Sequence, residues 1–315
     1  MTDLDLSAGG YDVVVAGGGL AGIAAALHAT HAGLRALVIE PTGTLGREVV
    51  RGRVMFADLV ACATDSRAAR LILDGLRDGS AWFDGAFDPT YAALVLDKLL
   101  ADAGADVLFH VWPAHPLHHD GRIEGIRVAS QGGYLPVQAP HVVDTSRRAR
   151  IAGQLVQKVN LAEQRWSQRF LFTADDVPWP DLQVAGLYPA ASHDLGVRAD
   201  ARLSAEVRPT YQPGEWRISI DYTLPAASTA PRSLRANDLG ELLRDLNPRT
   251  PLKLLHTAEE PVEIPAFRLQ PGVSPVAGLA WAGLWSAPHP VPLQDHMIAE
   301  TLLRQGHRAM VEILA

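Results

Sequence analysis

Residues 11–40, YDVVVAGGGLAGIAAALHATHAGLRALVIE, decide the reading of this chain. Tyr11 to Ala16 is short, apolar and β-branched, the pattern of a parallel strand buried on both faces. Gly17, Gly19 and Gly22 follow as GxGxxG. Leu20 to Ala32 is rich in alanine and leucine and reads as a helix that Gly33 stops. Ala36 to Ile39 is a second apolar strand. Strand, glycine turn, helix and strand in this order make a βαβ unit, whose crossover is right-handed.

Each glycine has a physical task in such a turn. Gly17 permits the tight bend, Gly19 leaves room for backbone to approach a pyrophosphate, and Gly22 lets helix and strand pack closely. Leu20 and Ala21 open the helix, whose first N–H groups and positive end face the same anion. Glu40 ends the second strand 18 residues after Gly22, where a carboxylate takes both hydroxyls of an adenosine ribose and disfavours a 2′-phosphate. A dinucleotide other than NADP is therefore expected.

Residues 11–47 resemble the N-terminus of the glutathione-reductase-type FAD-binding fold of many FAD-dependent oxidoreductases. Gly17, Gly19, Gly22, Ala26, Glu40 and Leu45-Gly46-Arg47 carry the likeness. It implies FAD as cofactor, with Gly46 and Arg47 running over the pyrophosphate and ribityl chain. Residues 87–146 resemble the family's helix, β-meander and return strand. His141-Val142-Val143-Asp144-Thr145-Ser146 stands in place of a strand ending in Ala-Thr-Gly, which implies cofactor contacts at Asp144 and Thr145. Residues 278–286, GLAWAGLWS, then a helix, resemble the last strand and flavin-capping helix, with a contact implied at Gly283. Two departures stand out. Ser146 replaces the usual glycine, and Leu284-Trp285 follow Gly283 where the family has an acid for the ribityl hydroxyls.

Asp88 and Pro89 read as the N-cap and first turn of a helix that Gly104 ends. Val107 to Val111 is a strand, and Asp120-Gly121 before Ile123 to Val128 suggests a hairpin. From Val197 to Val207 and from Trp216 to Tyr222, apolar and polar residues alternate on either side of Pro213-Gly214. This predicts an antiparallel pair with one wet and one dry face. Leu234 to Leu246 reads as a helix, residues 277–284 as a small apolar strand, and residues 294–314 as a closing helix. The expected fold class is α/β: a Rossmann-like FAD-binding domain (parallel sheet, β-meander, helices) over residues 1–155 and 268–315. Residues 156–267 would form an inserted β-rich substrate or cap domain.

Composition sets outer limits. The 315 residues are 48% hydrophobic and 20% charged, as in a folded globular chain. A net charge of -7 and no basic cluster with interleaved aromatics argue against nucleic acid as a partner. No run of about 18 uncharged apolar residues predicts a membrane-spanning helix. Cys62, the single cysteine, fits a reducing compartment, and residues 1–10 lack a signal-peptide pattern; a cytoplasmic protein is expected. A small-molecule substrate is expected, while a protein partner or homo-oligomer stays open.

The remaining candidates have a bland reading beside the functional one. Arg47 serves the pyrophosphate or the flavin, or is a loop arginine; Arg51 and Arg53 follow it and suit an anionic substrate, or solvent. His115, His118, His119 and Asp120 lack a regular ligand spacing, and a solvated turn accounts for them better than a metal. His289, between two prolines, is the weak candidate for a catalytic acid or base, and His193-Asp194 is a second pair of that kind. No second GxGxxG and no cysteine pair are present, which excludes disulfide-reductase chemistry. The expected function is hydride transfer between a small molecule and flavin N5. The alternatives are a non-catalytic flavoprotein and an NAD-binding enzyme of the same fold.

Overall fold

A computed structural model describes residues 10–174, 191–198, 201–227, 252–269, 274–287 and 294–315. The first elements are β1 (Val13–Ala16), α1 (Leu20–His31), β2 (Ala36–Glu40) and the short α2 (Arg47–Val50). Then come α3 (Leu59–Asp65), α4 (Arg67–Asp78), a small hairpin of β3 (Trp82–Phe83) and β4 (Ala86–Phe87), and α5 (Pro89–Asp102). Next are β5 (Asp106–Phe109), the three-stranded meander β6 (Trp112–His119), β7 (Arg122–Ser130) and β8 (Gly133–Gln138), and β9 (His141–Asp144). The chain continues through α6 (Ala152–Leu155), β10 (Lys158–Asn160), β11 (Glu163–Thr173), β12 (Ala191–Arg198), β13 (Ala201–Pro209) and β14 (Glu215–Pro225). It ends with β15 (Lys253–Thr257), β16 (Val262–Ile264), β17 (Phe267–Leu269), β18 (Leu279–Trp281) and a closing helix α7 (Asp295–Leu314).

These elements fall into two compact units. The first comprises Met1–Val50, Phe56–Asn160 and Phe267–Ala315; the second comprises Arg51–Met55 and Leu161–Ala266.

In the first unit, five parallel strands lie in the order β18-β9-β1-β2-β5. Every residue of β1 and β2 is buried, because helices and the meander leave neither face to water. Gly17 donates its N–H to the Ile39 carbonyl at 2.9 Å, so the turn stays tied to β2 as it leaves the sheet. The helix read from Asp88 forms as expected, with Asp88 Oδ1 accepting from the N–H groups of Thr90 and Tyr91 at 2.7 and 3.0 Å. The strand expected at 107–111 is shifted to β5, and His110 at φ 60 turns the chain out of it. Helix α7 crosses α1 closely: a Cβ on Gly306 would lie 2.0 Å from the Ala21 carbonyl oxygen, so only glycine allows this approach.

In the second unit, an antiparallel sheet runs in the order β12-β13-β14-β11-β15, with β16 also paired to β11. The pair around Pro213-Gly214 forms as read, with Gly214 at φ 74 in the turn. Two expectations need correction. The run from Val197 to Val207 is not one strand: β12 ends at Arg198, which pairs with Ala201 at the start of β13. The face opposite the apolar cluster is not wet either. Phe170, Phe172, Val207, Trp216, Ile218, Ile220 and Tyr222 form that cluster. Behind it Ser167, Arg169, Arg217 and Ser219 are all at most 1% exposed, because this face too is covered. The helix expected at Leu234 to Leu246 lies outside the described residues. No described helix is long and apolar enough to cross a membrane.

Candidate functional site

The C-terminal ends of β1, β2 and β9 meet at the glycine turn. A parallel α/β sheet presents its ligands there, because the strand ends and helix N-termini converge. Gly17 sits at φ 127, a conformation that L side chains rarely adopt, and a Cβ there would lie 2.8 Å from the Thr145 carbonyl oxygen. A Cβ on Gly22 would lie 1.8 Å from the Gly17 carbonyl oxygen. Both glycines are thus demanded by the chain's own packing. Thr145 braces the turn from β9, donating its hydroxyl to the Gly17 carbonyl at 2.7 Å.

Glu40 lies beside this turn at the end of β2, nearly buried. Its Oε2 accepts the Gly18 N–H at 2.8 Å, and its Oε1 accepts both the N–H and the hydroxyl of Thr42, at 2.8 and 2.7 Å. Three donors hold the carboxylate in one orientation, and Oε2 keeps a lone pair for a further hydroxyl. Gly46, at φ 62, donates its N–H to the Gly18 carbonyl at 2.8 Å, which docks the loop after β2 onto the turn.

A second carboxylate, not singled out from the sequence, points at the same place. Glu48, from α2, accepts the Leu20 N–H through Oε2 at 3.0 Å, and Arg47 donates to its Oε1 at 3.2 Å. Arg47 therefore stands next to the turn as an ion-pair partner of Glu48. Arg51 pairs with Glu259 and Glu260 at 3.3 and 2.9 Å.

Asp144 is entirely buried and faces inward. Its Oδ1 accepts the N–H and hydroxyl of Ser146 at 3.0 and 2.6 Å; its Oδ2 accepts the N–H groups of Ile151 and Ala152 at 2.8 and 2.7 Å. Burial raises its pKa, and these four bonds oppose the rise. Ser146 is fixed by this network, and its carbonyl accepts from the Trp285 indole at 2.9 Å. At the end of β18, the Gly283 N–H donates to Gln305 Oε1 at 2.8 Å; the Ser286 hydroxyl donates to the same oxygen at 3.0 Å. The amide of Gln305, on α7, thus joins the strand end where an acid was absent from the sequence, and no local pattern marked it.

Other sequence candidates have partners of their own or are placed by their strand register. His119 and Asp120 pair at 3.2 Å on an exposed turn, and His115 bonds Gln154 at 3.0 Å. Among the described residues no group of three His, Cys, Asp or Glu could hold a metal. His193 and Asp194 lie in β12, opposite Ala205 and Ser204. His289 lies outside the described residues. Cys62 is buried, and that burial pushes its thiol up to about 11, so it stays protonated.

The residues fit the adenosine diphosphate end of FAD. The turn offers backbone at close quarters: a Cβ on Gly19 would come within 2.7 Å of Glu48, so this is a cradle a side chain would fill. Glu40 offers the acceptor for ribose hydroxyls, and the N-terminus of α1 offers donors and a positive end. The Glu48 carboxylate lies against the same helix end.

Solved structures share the fold. A myxobacterial chondrochloren halogenase, an FAD-dependent halogenase, aligns at 16% identity over 95% of this chain and 72% of that one, with a TM-score of 0.60. A geranylgeranyl bacteriochlorophyll reductase-like protein from Thermoplasma acidophilum aligns at 15% identity over 97% and 78%, with a TM-score of 0.64. Aklavinone-11 hydroxylase, in a ternary complex with FAD and aklavinone, aligns at 15% identity over 95% and 61%, with a TM-score of 0.59. No curated protein matches the sequence. The family described as FAD dependent oxidoreductase matches residues 12–169, half of the chain. With the glycine turn and Glu40 in place, the chain belongs to the FAD-dependent oxidoreductase family, and its cofactor is FAD.

Proposed function

We propose that this flavoenzyme holds FAD non-covalently, with the pyrophosphate over Gly17, Gly19 and Leu20 and the adenosine ribose on Glu40, in the manner of the glutathione-reductase-type fold. The observation that carries this is the Glu40 carboxylate, held by Gly18 and Thr42 at the mouth of the turn with an acceptor to spare. When bound, FAD supplies a hydride acceptor or donor at flavin N5. The residues of this chain do the rest: the turn and α1 neutralise pyrophosphate charge, and Glu40 sets which sugar is accepted. The cradle at Asp144, Thr145 and Gly283 holds the strand ends in place around the cofactor.

The substrate is a small molecule, and the second unit, which we read as a substrate domain, supplies its contacts. Residues 156–267 are our reading of this inserted substrate or cap domain. The buried, protonated Cys62 suits a reducing compartment, and the cytoplasm is our reading.

The test is the visible spectrum of the purified protein, with the cofactor identified after heat release. Flavin bands from released FAD are expected. In Glu40→Arg, a guanidinium faces the Gly18 and Thr42 donors and the ribose hydroxyls lose their acceptor. FAD affinity is expected to fall by about 30-fold or more, in line with the loss of one charge-assisted hydrogen bond to the ribose. A protein that takes up no FAD even from excess overturns the reading.

A further inference from the structure

Helix α1 begins without a cap of its own. Its N-cap, Gly19, has no side chain, and its first turn contains no acidic residue. Such an end leaves N–H donors and a positive partial charge to be satisfied from elsewhere. Glu48 satisfies one of them from 28 residues away: Oε2 takes the Leu20 N–H at 3.0 Å in a buried contact. The carboxylate is packed directly against the cradle, since a Cβ on Gly19 would lie 2.7 and 2.9 Å from its two oxygens. Arg47 steadies it through Oε1 at 3.2 Å. The loop that carries it is latched to the turn by the Gly46 N–H on the Gly18 carbonyl.

A pyrophosphate accepting from the same helix end needs the same N–H group and the same volume. Two anions cannot share that position, because their repulsion is strongest where water is excluded. We propose that Glu48 is an internal competitor for the pyrophosphate: it caps α1 in the FAD-free chain, and FAD enters by displacing it. Glu48 thereby sets the affinity for FAD and raises the demand on the ligand. A lone phosphate, without an adenosine ribose anchored on Glu40, does not displace a tethered carboxylate. A dinucleotide held at both places does. This inference rests on the FAD reading above and assigns a regulating residue to that site.

The experiment uses the full chain stripped of FAD, in wild-type form and as Glu48→Gln, which keeps shape and removes charge, with Glu48→Ala as the second variant. FAD is titrated by quenching of its fluorescence, and thermal unfolding is followed with and without saturating FAD. Both variants are expected to bind FAD about ten-fold more tightly or better. Without FAD they melt at lower temperature than wild type, because α1 has lost its charged cap, and the rise in melting temperature on adding FAD is larger. The Leu20 amide exchanges with solvent faster in FAD-free Glu48→Ala than in FAD-free wild type. If wild type binds FAD and both variants bind it equally or more weakly, the competitor role is overturned and the FAD site stands. If no form binds FAD, both fall. Unchanged Leu20 exchange and an unchanged FAD-free melting temperature also overturn the cap.

Discussion

The two large sheets treat charge in opposite ways. In the parallel sheet of the first unit, β1 and β2 are apolar and buried along their whole length until Glu40, and in β9 the half-buried His141 is followed by buried Val142 and Val143 before Asp144. Both carboxylates stand at strand ends, where backbone donors are free to meet them. In the antiparallel sheet of the second unit the charges sit in mid-strand. Arg169, Arg217 and Glu206 share one enclosed face, with Glu206 accepting from Arg217 at 3.0 Å. Asp221 stands on that face opposite Ser167, one position along. The difference teaches where each sheet spends its ionic groups. At a strand end a carboxylate organises a turn and can be offered to a ligand; within a strand it must be neutralised by its neighbours or held protonated.

Three measurements break or sharpen this contrast. The largest effect is expected at Asp144. Asp144→Ala leaves the N–H groups of Ser146, Ile151 and Ala152 and the Ser146 hydroxyl without their acceptor, at a cost of about 4 kcal/mol in denaturant unfolding. A loss under 1 kcal/mol would mean that the strand-end carboxylate organises nothing.

Next comes Gly22→Ala. Its new methyl meets the Gly17 carbonyl, which is backbone and cannot swing aside. A loss of about 3 kcal/mol is expected from this overpacking. Full stability in that variant would show that the turn and α1 are not pressed together as described.

The smallest effect belongs to Asp221 and depends on pH. Burial pushes its carboxyl up to about 6, opposed by Ser167, Arg169 and Arg217, and its Oδ1 is enclosed without a hydrogen-bond partner. The native group holds its proton to higher pH than the unfolded one, whose pKa is about 4. Wild-type stability therefore falls as pH rises from about 4 to about 6. Asp221→Asn lacks that fall. It is expected to be about 2 kcal/mol more stable than wild type above pH 6, with the difference vanishing below pH 4. A pH-independent difference would show that the mid-strand carboxyl is ionised throughout.

The first sheet was far more legible in the sequence than the second. Its strands are continuous apolar runs and its turn is written in glycines, so period and punctuation agree over residues 11–40. The helix from Pro89 was equally plain, because Asp88 and Pro89 mark its start. In the second sheet, alternation gave the apolar face at Trp216, Ile218 and Ile220 but misjudged the other. A polar residue in an alternating strand reads as solvated, and Arg217 at 0% exposure can be recognised only from what covers it. The site divided in the same way. Gly17, Gly22 and Glu40 were visible because local backbone chemistry requires them. Glu48 and Gln305 were not, since each acts on backbone more than 20 residues away and neither belongs to a spaced pattern. Asp144 was read by resemblance as a cofactor contact, whereas its four internal bonds depend on how residues 146–152 fold back and leave no mark in the local sequence.

Gln305, on α7, ties that helix to the end of β18. Where β18 ends, one neutral amide oxygen receives the Gly283 N–H and the Ser286 hydroxyl together. An amide has no proton to lose or gain over the working range of a protein, so this clasp between the final strand and the final helix is indifferent to acidity. A glutamate in its place would turn the same junction into an acid-sensitive hinge, loosening as the carboxylate picked up its proton.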